Sequence, residues 1–261
     1  MRLHVLREGP PAGEPAETGS LPSVLLHALP LDHRMWVDVA ARLPGRVLAV
    51  DLPDRTGPPG EPSFDAVADQ LAEALARAGT ERAVVVGCSM GGYLALALAQ
   101  RHPALVAGLG LVDTRVEADD EAARARRAAM VAVLERTGAL DPAHAMVPGL
   151  LGATTASRRP TLVAQVHSWI DEQTPATVVW AQRAIGARPD RTAALRAFAG
   201  PVVVVVGDED QLTGVEVARQ TAAVATASRL VVVPRAGHLS PVEQPTPVAE
   251  ALTELVQQAE R

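Results

Sequence analysis

Short runs of valine and leucine, each apolar almost from end to end, recur along the chain as SVLLHALP, RVLAVDLP, RAVVVGCS, LGLVDT, PVVVVVGDED and RLVVVPRAGH. A strand without a polar face has no face for water, so these runs read as strands covered on both sides in a mostly parallel sheet. Between them the apolar spacing turns helical, with helices expected over 35–43, 64–78, 90–101, 215–227 and 247–259. Strand and helix in alternation make an α/β fold, a doubly wound sheet with right-handed crossovers. One interval breaks the rhythm: residues 115–197 keep a helical period without a convincing strand. That is too long for a crossover and too periodic for a loop. A helical lid, or cap, is therefore expected over 115–197, inserted into a core made of 1–114 and 198–261. Near the start, GPPAGEPAETGS reads as a turn or flexible hairpin loop.

A chain of 261 residues suffices for one large domain with such an insertion. Its 24 basic residues, all arginine, face 30 acidic ones, and no basic patch invites nucleic acid. No apolar stretch reaches the roughly 18 residues of a membrane span, and the start lacks a signal-peptide core. A soluble, cytoplasmic protein is expected, with no membrane partner; association into a homo-oligomer stays open. The lone Cys88 has no internal disulfide partner, which fits a reducing compartment.

The third of the six runs ends in Gly87-Cys88-Ser89-Met90-Gly91, a G-x-S-x-G placed directly after a buried strand and directly before a helix. Glycines there let the chain turn sharply, so that Ser89 sits at the tip of the turn with its hydroxyl exposed. The Met90 N–H then lies at a helix N-terminus, where partial positive charge favours a developing oxyanion. A serine hydroxyl is a weak nucleophile and needs a base oriented by a carboxylate. Both follow in the chain: PVVVVVGDED ends a strand with acids, and RLVVVPRAGH ends the next with His238. Active sites of open α/β sheets lie beyond the carboxyl ends of the strands, so Ser89, these acids and His238 are expected on one rim.

With these motifs in place the chain resembles the α/β-hydrolase-fold superfamily over essentially its whole length. It is similar to the small esterases, enol-lactonases and cofactor-free haloperoxidase-like members. HALPLDHRMW matches their oxyanion segment, GCSMGGY their nucleophile elbow, VVVGDEDQLT their acid loop and AGHLSPVEQP their histidine loop. The resemblance implies a Ser-His-Asp serine hydrolase, without cofactor or metal, acting on a small-molecule ester or lactone. In it Ser89, Asp210 and His238 are catalytic, and the N–H groups of Leu29 and Met90 form the oxyanion hole. Asp210 is chosen over Asp208 because GDED follows the family's G-x-x-D pattern; Asp113, after the preceding strand, is the alternative position. A serine at the elbow argues against haloalkane dehalogenase or epoxide hydrolase chemistry, for which the family uses aspartate. The alternatives are a carbon–carbon bond hydrolase or perhydrolase with the same triad, and a catalytically silent binding protein. Two departures stand out: Ala28 replaces the usual glycine, and the segment after Asp51 lacks the family's G-x-G-x-S turn.

Other polar residues have plainer readings. His102 suits a helix C-terminus, and His27 braces the oxyanion turn. His4, His33, His144 and His167 are expected at the surface, and no spacing suggests metal ligands. Cys88 is expected to point into the core. The EAARARRAA run reads as a solvated face of the lid. Small and aliphatic lid residues, with Trp169 and Trp180 as the large rings, predict a neutral acyl pocket. The rival is an inward Arg158, Arg159 or Arg183 holding a carboxylate.

Overall fold

The structure is a computed structural model that describes residues 1–9, 21–52 and 62–261. The expected turn over 9–20, apart from Gly9, and the segment at 53–61 therefore lie outside the described residues. Seven strands form one sheet: β1 (Arg2–Arg7), β2 (Ser23–Leu26), β3 (Val47–Asp51), β4 (Ala83–Cys88), β5 (Val106–Val112), β6 (Val202–Gly207) and β7 (Ser228–Val233). Their order is β1-β3-β2-β4-β5-β6-β7. All neighbours run parallel except β1, which lies antiparallel on β3. Every residue of β2, β4, β5 and β6 is buried, as continuous apolar runs require.

The two sheet edges depart from the expectation. Strand β1 was not expected: RLHVLR carries arginine and histidine on an edge with a wet face, so no apolar run announces it. Strand β7 is apolar in sequence but largely exposed or half-buried, because among the described residues it is the last strand of the sheet.

The helices before the fifth strand are α1 (Val37–Ala40), preceded by a 3-10 turn over His33–Trp36, then α2 (Phe64–Arg77) and α3 (Met90–Arg101). The expected helix over 35–43 stops early, since Pro44 disfavours helical backbone at Leu43 and Gly45 adopts a positive φ of 65°. Ser63 caps α2 by accepting the Asp65 N–H, and that helix buries Val67, Leu71 and Leu75 on one stripe. Between β5 and β6 the chain is helical: α4 (Glu121–Thr137), α5 (Asp141–His144), α6 (Val147–Leu150), α7 (Ala153–Arg158), α8 (Pro160–Asp171), α9 (Pro175–Ala187) and α10 (Thr192–Ala197). After β6 come α11 (Gly214–Val224), α12 (Ser240–Glu243) and α13 (Pro245–Ala259). Helix α11 ends before the expected position 227 because Ala225 is already extended. No described helix is long and apolar enough to cross a membrane.

Candidate active site

Parallel strands β4, β5 and β6 release the chain at the same edge of the sheet, and the chemistry-bearing residues gather there. Ser89 joins β4 to α3 with φ 50°, a left-handed conformation costly for a residue with a Cβ. Its backbone is held from both sides: its N–H donates to Val112 O (2.9 Å), and its carbonyl accepts the Gly92 N–H (2.9 Å) and the Thr114 hydroxyl (2.8 Å). The close approach needs glycine at 91, where a Cβ would stand 2.9 Å from Leu26 Cβ and nearer still to the Leu26 carbonyl. Surrounding structure thus over-determines the strained turn, which is the condition for its survival.

Ser89 Oγ lies 2.7 Å from His238 Nε2, and His238 Nδ1 lies 2.9 Å from Asp210 Oδ2. His238 and Asp210 are both buried. Burial opposes ionisation of Asp210, but its bond to and attraction by His238, with the Thr213 donors, outweigh that and hold it low, at about 2. An ionised carboxylate only accepts, so Nδ1 carries the imidazole proton and Nε2 is left to accept from the Ser89 hydroxyl. Burial likewise opposes charge on His238, yet the Asp210 hydrogen bond and charge, with Asp113 behind, raise it above its ordinary value of 6.5. Asp210 is fixed in turn by the N–H groups of Leu212 (2.7 Å) and Thr213 (3.1 Å) and by the Thr213 hydroxyl. Thr213 was not singled out in the sequence; the spacing D-x-x-T just before a helix is the signal for such a turn.

The other two acids face elsewhere. Asp113, at the end of β5 with φ 46°, accepts the Gly207 N–H (3.0 Å), the Ser240 N–H (3.0 Å) and the Ser240 hydroxyl (2.6 Å). Burial first, and the charge of Asp210 second, push its carboxyl up to about 7. Asp208 is exposed and accepts the Arg235 N–H. Cys88 is buried behind the elbow, and burial pushes its thiol well up.

On the opposite side of the nucleophile, His27 is buried and kept neutral, its pKa lowered by that burial. It accepts the Leu52 N–H at Nε2 (3.1 Å), which leaves Nδ1 to donate to Ala28 O (3.0 Å). Leu29 follows on the cavity wall, and Met90 is the first residue of α3, where an N–H has no intrahelical acceptor.

The cavity holding Ser89 and His238 has a volume of about 300 Å³. Met130, Met146, Leu150 and Ile185 give it apolar walls, but Arg115, Asp119, Arg126 and Arg127 also line it. This corrects three expectations. The α4 charge run is not wholly a solvated face, since Arg126 and Arg127 turn to the cavity. The arginines at 158, 159 and 183 are not on its wall: Arg183 pairs with Glu135 (2.8 Å), Arg159 donates to Glu243 O (2.6 Å) and Arg158 is exposed. Trp169 lies under Arg34 and Trp180 against Phe64, so neither ring lines it.

His4 and His33 are not free surface side chains either. They stack at 3.6 Å between centroids and share Asp51, at 2.7 Å from His4 Nε2 and 3.0 Å from His33 Nδ1. Their donor atoms lie within 4.8 Å of one another. Yet the rings are nearly parallel, 9° apart, so one ion about 2.0–2.1 Å from both nitrogens could not lie in both ring planes. The cluster fits two imidazoles sharing a carboxylate, and it ties β1 to the segment after Leu29. His144 and His167 are half-buried and stacked on each other, and His102 Nε2 lies 2.8 Å from Asp69.

A model of the alpha/beta hydrolase family matches residues 24–251. The chain is 30% identical over 241 residues to the 2-succinyl-6-hydroxy-2,4-cyclohexadiene-1-carboxylate synthase of Enterobacter sp. (strain 638), a match covering 89% of this chain and 90% of that one. Among solved structures it is similar to a thermophilic esterase from Thermogutta terrifontis, with a TM-score of 0.89 and 32% identity over 100% of this chain and 94% of that one. The enol-lactonase from Burkholderia xenovorans LB400 shares the fold, with a TM-score of 0.83 and 23% identity over 98% of this chain and 96% of that one.

Proposed function

The chain belongs to the alpha/beta hydrolase family and is a hydrolase, and from that premise we propose that it cleaves small carboxylic esters or lactones through Ser89, His238 and Asp210. The observation that carries this reading is the unbroken chain of contacts from Ser89 Oγ to His238 (2.7 Å) and on to Asp210 (2.9 Å), opening into the cavity. The likeness to an esterase that is 32% identical supports the ester half of the claim. A lactone is a cyclic ester and opens by the same steps.

In the first half-reaction Ser89 Oγ bonds to the carbonyl carbon as its proton passes to His238 Nε2, and the carbonyl electron pair moves onto oxygen. The N–H groups of Met90 and Leu29 hold that oxyanion; one such donor is worth roughly 10²–10³ in rate. Collapse breaks the bond to the leaving alcohol, which takes the proton from His238. A water then gives its proton to His238, adds to the acyl carbon and displaces Ser89, which recovers the proton. Asp210 stays ionised throughout and stabilises the imidazolium. Helices α4 to α10 act as the cap that closes the cavity over the acyl group.

Short p-nitrophenyl esters and γ-lactones test the reading. Turnover is expected, and Ser89→Ala should lower kcat by at least ~10⁴-fold, because only the oxyanion site and binding then remain. Absence of turnover across the series, or turnover that survives Ser89→Ala, would overturn it.

A further inference from the structure

We propose that the acyl group this site accepts carries a carboxylate, bound by Arg126 and Arg115 on the wall of the catalytic cavity. The inference rests on the hydrolase reading above and specifies its substrate.

The charges that line the cavity with Ser89 and His238 are three arginines and one aspartate. Asp119 is buried and already answered twice, by Arg127 Nε (2.5 Å) and by the buried Arg188 from behind the wall (2.7 Å). Arg127 also donates to Gln182 (2.8 Å), so its guanidinium is committed. Arg115 and Arg126 differ. Among the described residues neither pairs with a carboxylate; Arg115 donates to the Leu212 carbonyl, and Arg126 makes no side-chain hydrogen bond.

Composition makes that excess informative. The protein carries 30 acidic residues against 24 arginines, so acids to pair with these two guanidiniums are not scarce. Yet the catalytic cavity keeps unmatched positive charge. For a neutral ester that charge is a handicap: Arg115 acts on His238 against its protonated form, the form created when Ser89 attacks. An anion bound beside Arg115 cancels the handicap and adds charge-assisted hydrogen bonds of the kind guanidinium makes with carboxylate.

The apolar part of the wall narrows the class. A half-ester of a short dicarboxylic acid suits it, with the methylenes against Met130, Met146 and Leu150 and the carboxylate at the two arginines.

The test compares mono-p-nitrophenyl glutarate with p-nitrophenyl valerate, which have acyl chains of equal length and differ in the terminal carboxylate. The wild-type protein is expected to favour the glutarate by tenfold or more in kcat/KM. Arg126→Gln should bring that ratio down at least fivefold, and Arg126→Gln with Arg115→Gln should bring it near unity. Arg126 is exposed, so its replacement leaves the fold intact, and added salt should lower the wild-type ratio. Free glutarate should inhibit valerate hydrolysis more strongly than inorganic phosphate does. Ser89-dependent hydrolysis of valerate without preference for glutarate would overturn the carboxylate assignment and leave the hydrolase reading standing. So would a preference that survives the double replacement, or stronger inhibition by phosphate. If neither ester is cleaved in a Ser89-dependent manner, the hydrolase reading falls and this inference with it.

Discussion

Two buried carboxylates stand at the ends of adjacent strands, and their surroundings give them different work. Asp210 meets the imidazole N–H and is held ionised, whereas Asp113 meets the donors of Gly207 and Ser240 and has its carboxyl pushed up to about 7 by burial and by Asp210. Asp210→Asn should therefore cost kcat/KM about 10⁴-fold, as expected when the imidazole loses the acceptor that fixes its tautomer. Asp113→Asn should retain most of the activity but move the pH profile. Burial opposes the imidazolium of His238, and the bond and charge of Asp210, with the charge of Asp113, together raise it. The catalytic base must be neutral, so kcat/KM falls as pH drops through that raised pKa, which puts the acid limb above 6.5. Removing the Asp113 charge takes away one raising influence and shifts the limb to lower pH. A profile measured over roughly pH 5 to 9 with the limb unmoved, or moved upward, would contradict this assignment. Ser89 and His238 were legible as motifs, because a strand-turn-helix and a strand-end loop each leave a local signature. The pocket arginines were not, since which face of α4 turns inward depends on packing against helices far along the chain.

Between elements, one junction couples the helices after β5 to the histidine loop. Gly152, just before α7, and Gly237, just before His238, approach so closely that a Cβ on Gly152 would stand 2.8 Å from Gly237 N. The buried Glu243 on α12 bridges them, accepting the Gly152 N–H at 2.9 Å and the Gly237 N–H at 2.8 Å. Glu209 adds a second tie by accepting the Thr154 N–H at 2.7 Å. Glu243→Gln keeps the volume but turns one acceptor into a donor facing an N–H. An unsatisfied buried donor costs about 1–3 kcal/mol, which for a chain this size lowers Tm by several degrees. Because Gly237 precedes His238, the base of the proposed reaction, kcat should fall as well while KM changes little. Unchanged Tm and kcat in the Gln variant would show that the bridge positions nothing. The elements themselves were legible where the pattern was strong: buried strands β2 to β6 and helices α2 and α3. The misses lie where the pattern weakens. Strand β1 has a wet edge, the helix before Pro44 is cut short, and β7 is apolar in sequence but half-exposed in place.

At the scale of the whole molecule, the order of the strands turns sequence distance into proximity. Ser89, Asp210 and His238 are far apart along the chain, and they meet because β4, β6 and β7 run parallel and end on one rim. The alternation of apolar runs and helical spacing was enough to read that arrangement, since parallel strands must cross over and their carboxyl ends must align. The charge inside the cavity was not readable in the same way. It depends on how the helical segment between β5 and β6 lies over the rim, which no local pattern encodes. The central claim is that this rim activates a single serine. A fluorophosphonate probe followed by peptide mapping measures that directly, because it reports the nucleophile whatever the natural substrate. One adduct is expected, on the peptide containing Ser89, absent in Ser89→Ala and formed orders of magnitude more slowly in His238→Ala. An adduct on another residue, or labelling of Ser89 at an equal rate without His238, would contradict the account.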